Sequence, residues 1–332
     1  MSQFRRDVVT GEWMIIAEER RGRPYHFGQT EDKNLCPFCI GNEHMTPDEI
    51  WRKEGVHTWE IRVVPNKYPA VCIQEGLIDK DATFYSRCKA GGRHEVVVEA
   101  ASHELMLHCM EDKKISDVFR VFKQRFMQLS QIEGIEHVQI FKNHGKNGGA
   151  SIRHSHSQVI ALPFVPPRIQ AELEGASEYY QNNGNCVYCD IIEKESENQQ
   201  RIICKNEHFI AVLAFAPRFS YETWIIPLRH QGIFSQINEE QLLSLACLYK
   251  KLVKLLNNVL GEFSYNMVLH TAPYQFKDNY YHWHIELVPR VSFHAGFELA
   301  TGSCISTISP EEAMQKIKEK GNKSMIVTSG NI

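Results

Sequence analysis

One segment of the chain joins a glycine-bearing loop to histidines at alternate positions. The loop spans residues 143–153 and leads into His154, His156 and Gln158, just before the apolar run 159–162. Because alternate residues of a β-strand face the same side, these three side chains should project together, beside backbone amides suited to phosphate oxygens. An imidazole in this position can attack phosphorus and carry the group as a covalent intermediate. The segment therefore predicts nucleotidyl transfer with His156 as the nucleophile.

The glutamine of this motif bears on the kind of reaction. A third histidine at position 158 would be able to protonate a leaving group, as hydrolysis requires, whereas Gln158 is neutral and can only donate a hydrogen bond to a phosphate oxygen. We therefore expect Gln158 to act beside His156 in transfer to a phosphate-bearing acceptor. The loop residues expected to contact the substrate are Asn143, Gly145, Gly149, Ala150 and Ser151.

Two Cys-x-x-Cys pairs stand among the ten cysteines. In a reducing compartment such pairs are more often metal ligands than disulfides, and two thiolates with two imidazoles form a closed tetrahedral site for zinc. Two structural zinc sites are expected, and the first would leave His156 rather than His154 as the nucleophile. The expected ligands are Cys36, Cys39, His103 and His154 in the first site, and Cys186, Cys189, His230 and His282 in the second.

A different metal site competes for one of these histidines. Glu172, His270, His282 and His284 would form a carboxylate–imidazole set suited to another divalent metal. His282 cannot serve both sites. The thiolate set is favoured, because soft sulfur ligands hold zinc well.

The chain also repeats its own pattern. Each Cys-x-x-Cys pair is followed by a histidine-ended strand segment, an amphipathic helix pattern, a β-rich segment and a His-x-His pair. His154 follows His103 by 51 residues, and His282 follows His230 by 52. We therefore predict an α+β fold of two tandem units, residues 1–165 and 166–332, each an antiparallel sheet with packed helices, related by pseudo-two-fold symmetry. Residues 163–184 are expected to connect the units, and a capped helix is expected from 309 to 320.

The second unit has no glycine-rich loop before its His-x-His pair. His284 stands at the position of His156 but is followed by Ile285 and Glu286. We interpret this half as a degenerate site with a structural role, so that one half of the chain carries the chemistry.

Composition excludes several classes of partner. The 332 residues are 43% hydrophobic and 23% charged with a net charge of -3, so no nucleic-acid partner is expected. The longest apolar run near the start, residues 13–17, is too short for a signal peptide or a membrane span. The sequence favours a cytoplasmic location without a membrane partner.

These motifs, with three further segments, resemble the galactose-1-phosphate uridylyltransferase family, the transferase branch of the histidine-triad superfamily. The segments are 20–24 with its Arg-x-x-Arg-Pro pattern, 65–70 around an asparagine, and 296–298 with Gly-Phe-Glu. The resemblance implies histidine-triad-like units and a homodimer in which the last segment reaches the hexose in the partner's site. It further implies substrate contacts from Arg20, Arg23, Asn66, Phe297 and Glu298.

The activity that this resemblance implies is a ping-pong transfer. His156 would take uridylyl from UDP-glucose, release glucose 1-phosphate and pass the group to galactose 1-phosphate. The chain departs from the family's usual His-Pro-His-Gly-Gln by carrying serines at 155 and 157, and its second cysteine pair is similar to plant-type ADP-glucose phosphorylases. Adenylyl transfer from ADP-glucose to inorganic phosphate is therefore the alternative, and a zinc-stabilised binding module without catalysis is the competing class.

Overall fold

The computed structural model describes residues 2–22, 36–72 and 86–328, with side chains as far as residue 321. Within these ranges the chain forms thirteen strands and six α-helices. The strands are β1 (Gln3–Arg6), β2 (Trp13–Ile16), β3 (Trp51–Glu54), β4 (Trp59–Pro65), β5 (Arg87–Lys89), β6 (Arg93–Val98), β7 (His137–His144), β8 (His156–Leu162), β9 (Ile202–Lys205), β10 (Phe209–Leu213), β11 (Thr223–Pro227), β12 (Tyr265–His270) and β13 (His284–Pro289). The helices are α1 (Asp112–Ser130), α2 (Pro167–Asn183), α3 (Val187–Asn198), α4 (Glu239–Leu260), α5 (Gly296–Thr301) and α6 (Pro310–Thr328).

Ten of these strands form one sheet in the order β3-β4-β6-β8-β7-β12-β13-β11-β10-β9, and its pairs are antiparallel. The sheet passes from the first half of the chain to the second where β7 pairs with β12. A second sheet of three strands, β2-β1-β5, has no strand pairing with it in the described ranges, but Phe4 of β1 packs against Leu162 of β8. The expected α+β fold with antiparallel strands and packed helices is confirmed, while the unit boundary at 165/166 and the pseudo-symmetry stay predictions.

Helices α1 and α4 cover one face of this sheet. Phe119 of α1 and Tyr249 of α4 meet edge to face with ring centroids 5.8 Å apart, and both are fully buried. Val159 and Ala161 of β8 belong to the same apolar core. Burial of each large side chain contributes roughly 1.5–3 kcal/mol, so this core fixes which face of β8 points inwards. His156 and Gln158 alternate with Val159 along the strand and are directed to the opposite face.

Two predicted boundaries differ from the observed ones. Much of the expected connector is helix α2, because Pro167 is tolerated at a first helical position and Gly184 ends the helix with φ 76°. The apolar residues Ile169 and Leu173 of α2 are buried four positions apart. The terminal helix α6 begins as expected, where Ser309 Oγ accepts a hydrogen bond from the Glu312 amide at 3.1 Å, but continues to Thr328.

None of the helices in the described ranges is both long and apolar enough to span a membrane.

Candidate active site

Strand β8 places the motif histidine and glutamine beside a cavity. Its register with β6 sets Val98 opposite His156 and Val96 opposite Gln158. The cavity has a volume of about 130 Å³. Its lining includes Phe38, Val64, Asn66, Tyr68, Ser151, His156 and Gln158. The structure thus brings four of the predicted site residues together. His156 and Gln158 lie on β8, Ser151 is in the loop before it, and Asn66 directly follows β4.

The ring of His156 is held in one tautomer. Its Nδ1 lies 2.8 Å from the carbonyl oxygen of His154, and because a carbonyl only accepts, Nδ1 carries the proton. With the proton on Nδ1, Nε2 is the unprotonated nitrogen of the neutral ring. Phe38 packs beside the ring with centroids 5.3 Å apart, and His156 is only 5% exposed. A neutral imidazole with a fixed, unprotonated nitrogen is suited to nucleophilic attack.

The glycine loop adopts conformations that other residues rarely take. Gly145 and Gly149 have φ of +75° and +80°, and a Cβ at Gly145 would collide with Ser264. The loop borders a second cavity of about 40 Å³ on another side of His156. The predicted residues among its lining are Asn143, Gly145, Ala150, His154 and His156. Gly149 lines neither cavity, so its contribution is to the course of the loop.

The first predicted metal set is assembled as expected from the sequence. One donor atom from each of its four residues lies within 4.8 Å of the others. Cys39 Sγ is 3.2 Å from His103 Nδ1 and 3.6 Å from His154 Nδ1. His154 Nε2 donates to the Ala100 carbonyl at 2.7 Å, which leaves Nδ1 unprotonated and directed at the sulfurs. The group could hold a metal ion.

The charge states of these donors also suit a cation. Burial lowers the pKa of His154 to about 4, so the imidazole is neutral at pH 7 and able to ligate. Burial raises the pKa of the Cys36 thiol to about 12. A divalent cation between the sulfurs would favour the thiolate and offset this cost of burial.

The second predicted set is assembled in the same way. Its four donors also lie within 4.8 Å of one another. Cys189 Sγ is 3.4 Å from His230 Nδ1 and 3.8 Å from His282 Nδ1. Both Cys/His groups therefore have the geometry of metal sites, one at each half of the ten-stranded sheet.

The competing carboxylate set has a different membership from the one expected. It consists of Glu172, His270, His284 and Glu286, without His282. His282 precedes β13 and its Nδ1 lies 3.8 Å from Cys189 Sγ, whereas His284 on the strand joins the carboxylates, so no histidine has to serve both groups. His270 lies 2.9 Å from Glu172 and 3.1 Å from Glu286. Burial opposes its charge, but these two carboxylates outweigh burial and raise the pKa of His270 to about 9.

The second His-x-His pair lies in a closed environment. His284 Nδ1 is 3.2 Å from the His282 carbonyl, which reproduces the arrangement at His156. However, the rings of Tyr188, Trp224 and His270 lie with centroids 5.0, 5.4 and 4.9 Å from that of His284. The surrounding rings occupy the space beside this imidazole, which agrees with the interpretation of a structural half.

Two buried charges that the sequence did not indicate lie beneath β8. Lys142 Nζ donates to Glu99 Oε2 at 2.6 Å, to Ser155 Oγ at 3.1 Å and to the His156 carbonyl at 3.0 Å. The hydroxyls of Ser155 and Ser157 each donate to Glu99 at 2.5 Å. All four side chains are at most 2% exposed. The serines between the motif residues thus fasten β8 to a buried ion pair.

Of the other predicted substrate contacts, those that the structure describes do not line the cavities at His156, and one lies outside the described residues. Arg20 does not line either cavity at His156, but it donates at 2.6 Å to the carbonyl of Tyr68, which lines the larger of the two. Arg23 lies outside the described residues. Phe297 and Glu298 are on α5 and line neither of the cavities at His156.

The chain matches the family models of one enzyme family and is similar to known enzymes over nearly its whole length. Residues 1–166 match the model of the galactose-1-phosphate uridyl transferase N-terminal domain, and residues 172–317 match that of its C-terminal domain. An ADP-glucose phosphorylase of Arabidopsis thaliana is 33% identical over 96% of this chain and 92% of its own length. A galactose-1-phosphate uridylyltransferase of Thermotoga maritima is 29% identical over 96% of this chain and 98% of its own.

A solved structure is similar over nearly the whole fold. The crystal structure of an ADP-glucose phosphorylase from Arabidopsis thaliana with bound ADP-glucose superimposes with a TM-score of 0.76 at 31% identity, over 96% of this chain and 99% of that one. The two matched ranges together include both cysteine pairs, the glycine loop and both His-x-His pairs. The chain belongs to the galactose-1-phosphate uridylyltransferase family.

Proposed function

We propose that this enzyme transfers a nucleotidyl group from a nucleotide sugar to a phosphate acceptor through a covalent bond to His156. The observation that carries the proposal is the hydrogen bond from His156 Nδ1 to the His154 carbonyl at 2.8 Å, with the ring on the wall of the cavity. This bond leaves Nε2 as the nucleophilic atom. An ordinary buried histidine would need neither the cavity nor the loop of backbone amides beside it.

The reaction divides into two displacements. In the first, the Nε2 lone pair forms a bond to the α-phosphorus, and the bond to the bridging oxygen breaks with its electron pair, so that the sugar 1-phosphate leaves. In the second, a phosphate oxygen of the acceptor attacks the same phosphorus, and the P–N bond breaks to return the electron pair to His156. Neither leaving group requires a proton, which agrees with a neutral glutamine at 158.

The neighbouring residues have complementary roles in this proposal. Gln158 donates to a non-bridging oxygen of the transferred phosphoryl group, where negative charge has to be held. The Ser151 hydroxyl, on the cavity wall, receives the diphosphate, whereas the amides of Asn147, Gly149 and Ala150 donate hydrogen bonds within the protein. Asn66 and Arg20 hold the nucleoside end, because Asn66 lines the same cavity and Arg20 binds the carbonyl of its neighbour Tyr68.

The donor that we propose is UDP-glucose, with galactose 1-phosphate as acceptor. The matching domain models and the Thermotoga maritima relative are named for uridylyl transfer with galactose 1-phosphate, which supports this choice. The second candidate is transfer of adenylyl from ADP-glucose to inorganic phosphate. The specific observation in its favour is the second Cys/His group together with the similarity to the Arabidopsis thaliana ADP-glucose phosphorylase.

A crossed assay separates the two candidates. The protein is supplied with UDP-glucose or ADP-glucose, and each donor is paired with galactose 1-phosphate or inorganic phosphate. We expect UDP-galactose as the product with the largest kcat/KM. Turnover only of ADP-glucose with phosphate, which yields ADP, would assign the second candidate, and the absence of exchange with every pair would exclude nucleotidyl transfer.

We also propose that both Cys/His groups hold structural zinc. Two sulfur and two nitrogen donors are the ligand set of closed tetrahedral zinc sites. In the first site, His154 would act as a ligand while its backbone carbonyl fixes the ring of His156. Zinc in this position would supply structural constraint rather than chemistry, because its four ligand positions would be filled by the protein.

Loss of the first metal is expected to destabilise the fold more than it changes the chemistry. Cys36→Ser should remove one zinc from two per chain, as measured by elemental analysis, and should lower Tm by roughly 5–10 °C, as a loss of several kcal/mol does in a chain of this size. The matched control is Cys109→Ser, because Cys109 is exposed and lies in neither Cys/His group. Equal Tm values for Cys36→Ser and the parent protein would contradict a structural metal.

The exposed part of α5 supports a homodimer. Phe297 and Leu299 are 53% and 78% exposed, and Phe293 just before the helix is 67% exposed. Large apolar side chains in such a patch are typical of an interaction surface. Since Phe297 and Glu298 do not reach the cavity of their own chain, we propose that they contact the hexose in the partner's site.

A further inference from the structure

The orientation of the Gln158 amide depends on a histidine that the sequence did not indicate. His94 lies on β6, opposite Ile160 and two residues from the partner of Gln158, so its side chain is on the same face of the sheet as the cavity. It is 5% exposed. Its Nε2 lies 3.0 Å from Gln158 Oε1, which is a hydrogen-bonding distance.

The partners of the other ring nitrogen fix the direction of this bond. The backbone amide of Ala70 donates to His94 Nδ1 at 3.0 Å. An amide N–H can only donate, so Nδ1 is the unprotonated nitrogen and a neutral ring carries its proton on Nε2. His94 is therefore the donor, and the oxygen of Gln158 is the acceptor.

Asn66 adds a second donor to the same oxygen. Its Oδ1 accepts from the Tyr68 amide at 2.9 Å, which assigns its amide nitrogen to the other side. That nitrogen lies 3.1 Å from His94 Nε2 and 3.5 Å from Gln158 Oε1, and because His94 Nε2 carries a proton, the Asn66 amide can donate only to the oxygen. His94 Nε2 and Asn66 Nδ2 thus both face the oxygen of Gln158. If the Gln158 amide were flipped, its own N–H groups would face these two donors.

The consequence concerns the group presented to the substrate. Among the described residues, Gln158 Nε2 donates to no protein acceptor. With its oxygen bound on the protein side, the glutamine offers its two N–H groups to the cavity that His156 shares. These are the groups that a phosphoryl oxygen requires, whereas the amide oxygen would repel it.

We propose that His94 is a positioning residue, which donates to Gln158 Oε1 and so directs the Gln158 N–H groups at the phosphoryl oxygens of a nucleotide bound at His156. The proposal rests on the proposed function for the identity of the anion. The tautomer of His94 and the orientation of the amide do not rest on it. His94 acts through Gln158, without contact with the reacting atoms.

Kinetics of the first half-reaction test this role. His94→Leu removes the donor, and we expect the single-turnover rate of His156 nucleotidylation to fall about 10- to 100-fold, approaching the effect of losing one oxyanion donor, with KM changed much less. His94→Gln keeps an N–H near the position of Nε2 and should recover most of the rate. In a Gln158→Ala background, His94→Leu should lower the rate by less than about threefold, because residues that act through one another are not additive.

A matched control is available on the same sheet. His137 is also buried and also bonds a glutamine, with Nε2 3.2 Å from Gln139 Oε1, but it lines neither cavity at His156. His137→Leu should leave the nucleotidylation rate per folded molecule unchanged. Equal losses for His94→Leu in the parent and Gln158→Ala backgrounds, or no recovery in His94→Gln, would overturn the positioning role.

A spectroscopic measurement decides the tautomer without turnover. Histidine-selective ¹⁵N labelling and long-range ¹H–¹⁵N correlation, assigned by the missing signals of His94→Leu, should show His94 protonated on Nε2 alone. Protonation on Nδ1 would overturn the inference whatever reaction the enzyme performs. Failure of the proposed function would be seen separately, as the absence of an adduct on the parent protein.

Discussion

Replacing His156 by alanine is expected to abolish covalent labelling by nucleotide sugar and to lower turnover at least about 10⁴-fold, as the loss of a nucleophile does. The reason is that Nε2 of His156 is the nitrogen which the bond to the His154 carbonyl leaves unprotonated beside the cavity. The substitution removes the atom that would bond to phosphorus, while the neighbouring groups that bind the nucleotide remain. Binding of the donor should therefore persist when the chemistry is lost.

The measurement uses a nucleotide sugar labelled in the α-phosphate. Label bound to protein should be stable in base and released in acid, as expected for a P–N bond, and should be absent from His156→Ala. The matched control is His284→Ala, since His284 makes the same bond to the carbonyl two residues earlier but is enclosed by aromatic rings. Label on His156→Ala, or its loss in His284→Ala at equal folded fraction, would assign the nucleophile elsewhere.

Replacing Lys142 by methionine is expected to lower the free energy of unfolding by about 3–5 kcal/mol, because it leaves the Glu99 carboxylate buried without its cation. The side chains of Lys142 and Glu99 are 2% and 0% exposed, and Glu99 accepts hydrogen bonds from Ser155, Ser157 and Lys142. Water cannot replace the lost partner at such a site, so the desolvation of the carboxylate is no longer compensated. Urea denaturation of the purified variants measures the effect.

A double variant measures the coupling energy between Lys142 and Glu99. Lys142→Met combined with Glu99→Leu removes both charges, so the loss should be clearly smaller than the sum of the two single losses. The control is Lys194→Met, since Lys194 and Glu197 form an ion pair with side chains 66% and 56% exposed, and its loss should change stability by at most about 1 kcal/mol. Additive losses in the double variant would contradict a coupled pair beneath β8.

This ion pair also links stability to the site. Lys142 donates to the carbonyl of His156, and the two serines that bond Glu99 alternate with the motif histidines along the chain. His156, the proposed nucleophile, is therefore held at two points: its ring by the carbonyl of His154, and its backbone carbonyl by the buried ammonium of Lys142. The serines at 155 and 157, which depart from the family's usual motif, bind this segment to the buried Glu99 carboxylate.

The sequence by itself determined the residues whose relation is local. His156 and Gln158 face one cavity because they are two positions apart on a strand, and each Cys-x-x-Cys turn brings two sulfurs together regardless of the rest of the fold. The amphipathic spacing of α1 and α4 similarly determined which helix faces are buried. Such features depend on the spacing of residues along the chain, which can be read from the sequence alone.

Only the tertiary structure decided which distant groups meet this motif. His94 and Glu99 come from the β6 region, about 60 residues before β8, and their contacts with it follow from the register that pairs Val96 with Gln158. The same holds for Glu286, which joins His270 in the carboxylate group in place of His282. A one-residue slip in pairing would turn each of these side chains to the other face, and the alternation of residues along one strand contains no information on the register of its neighbour.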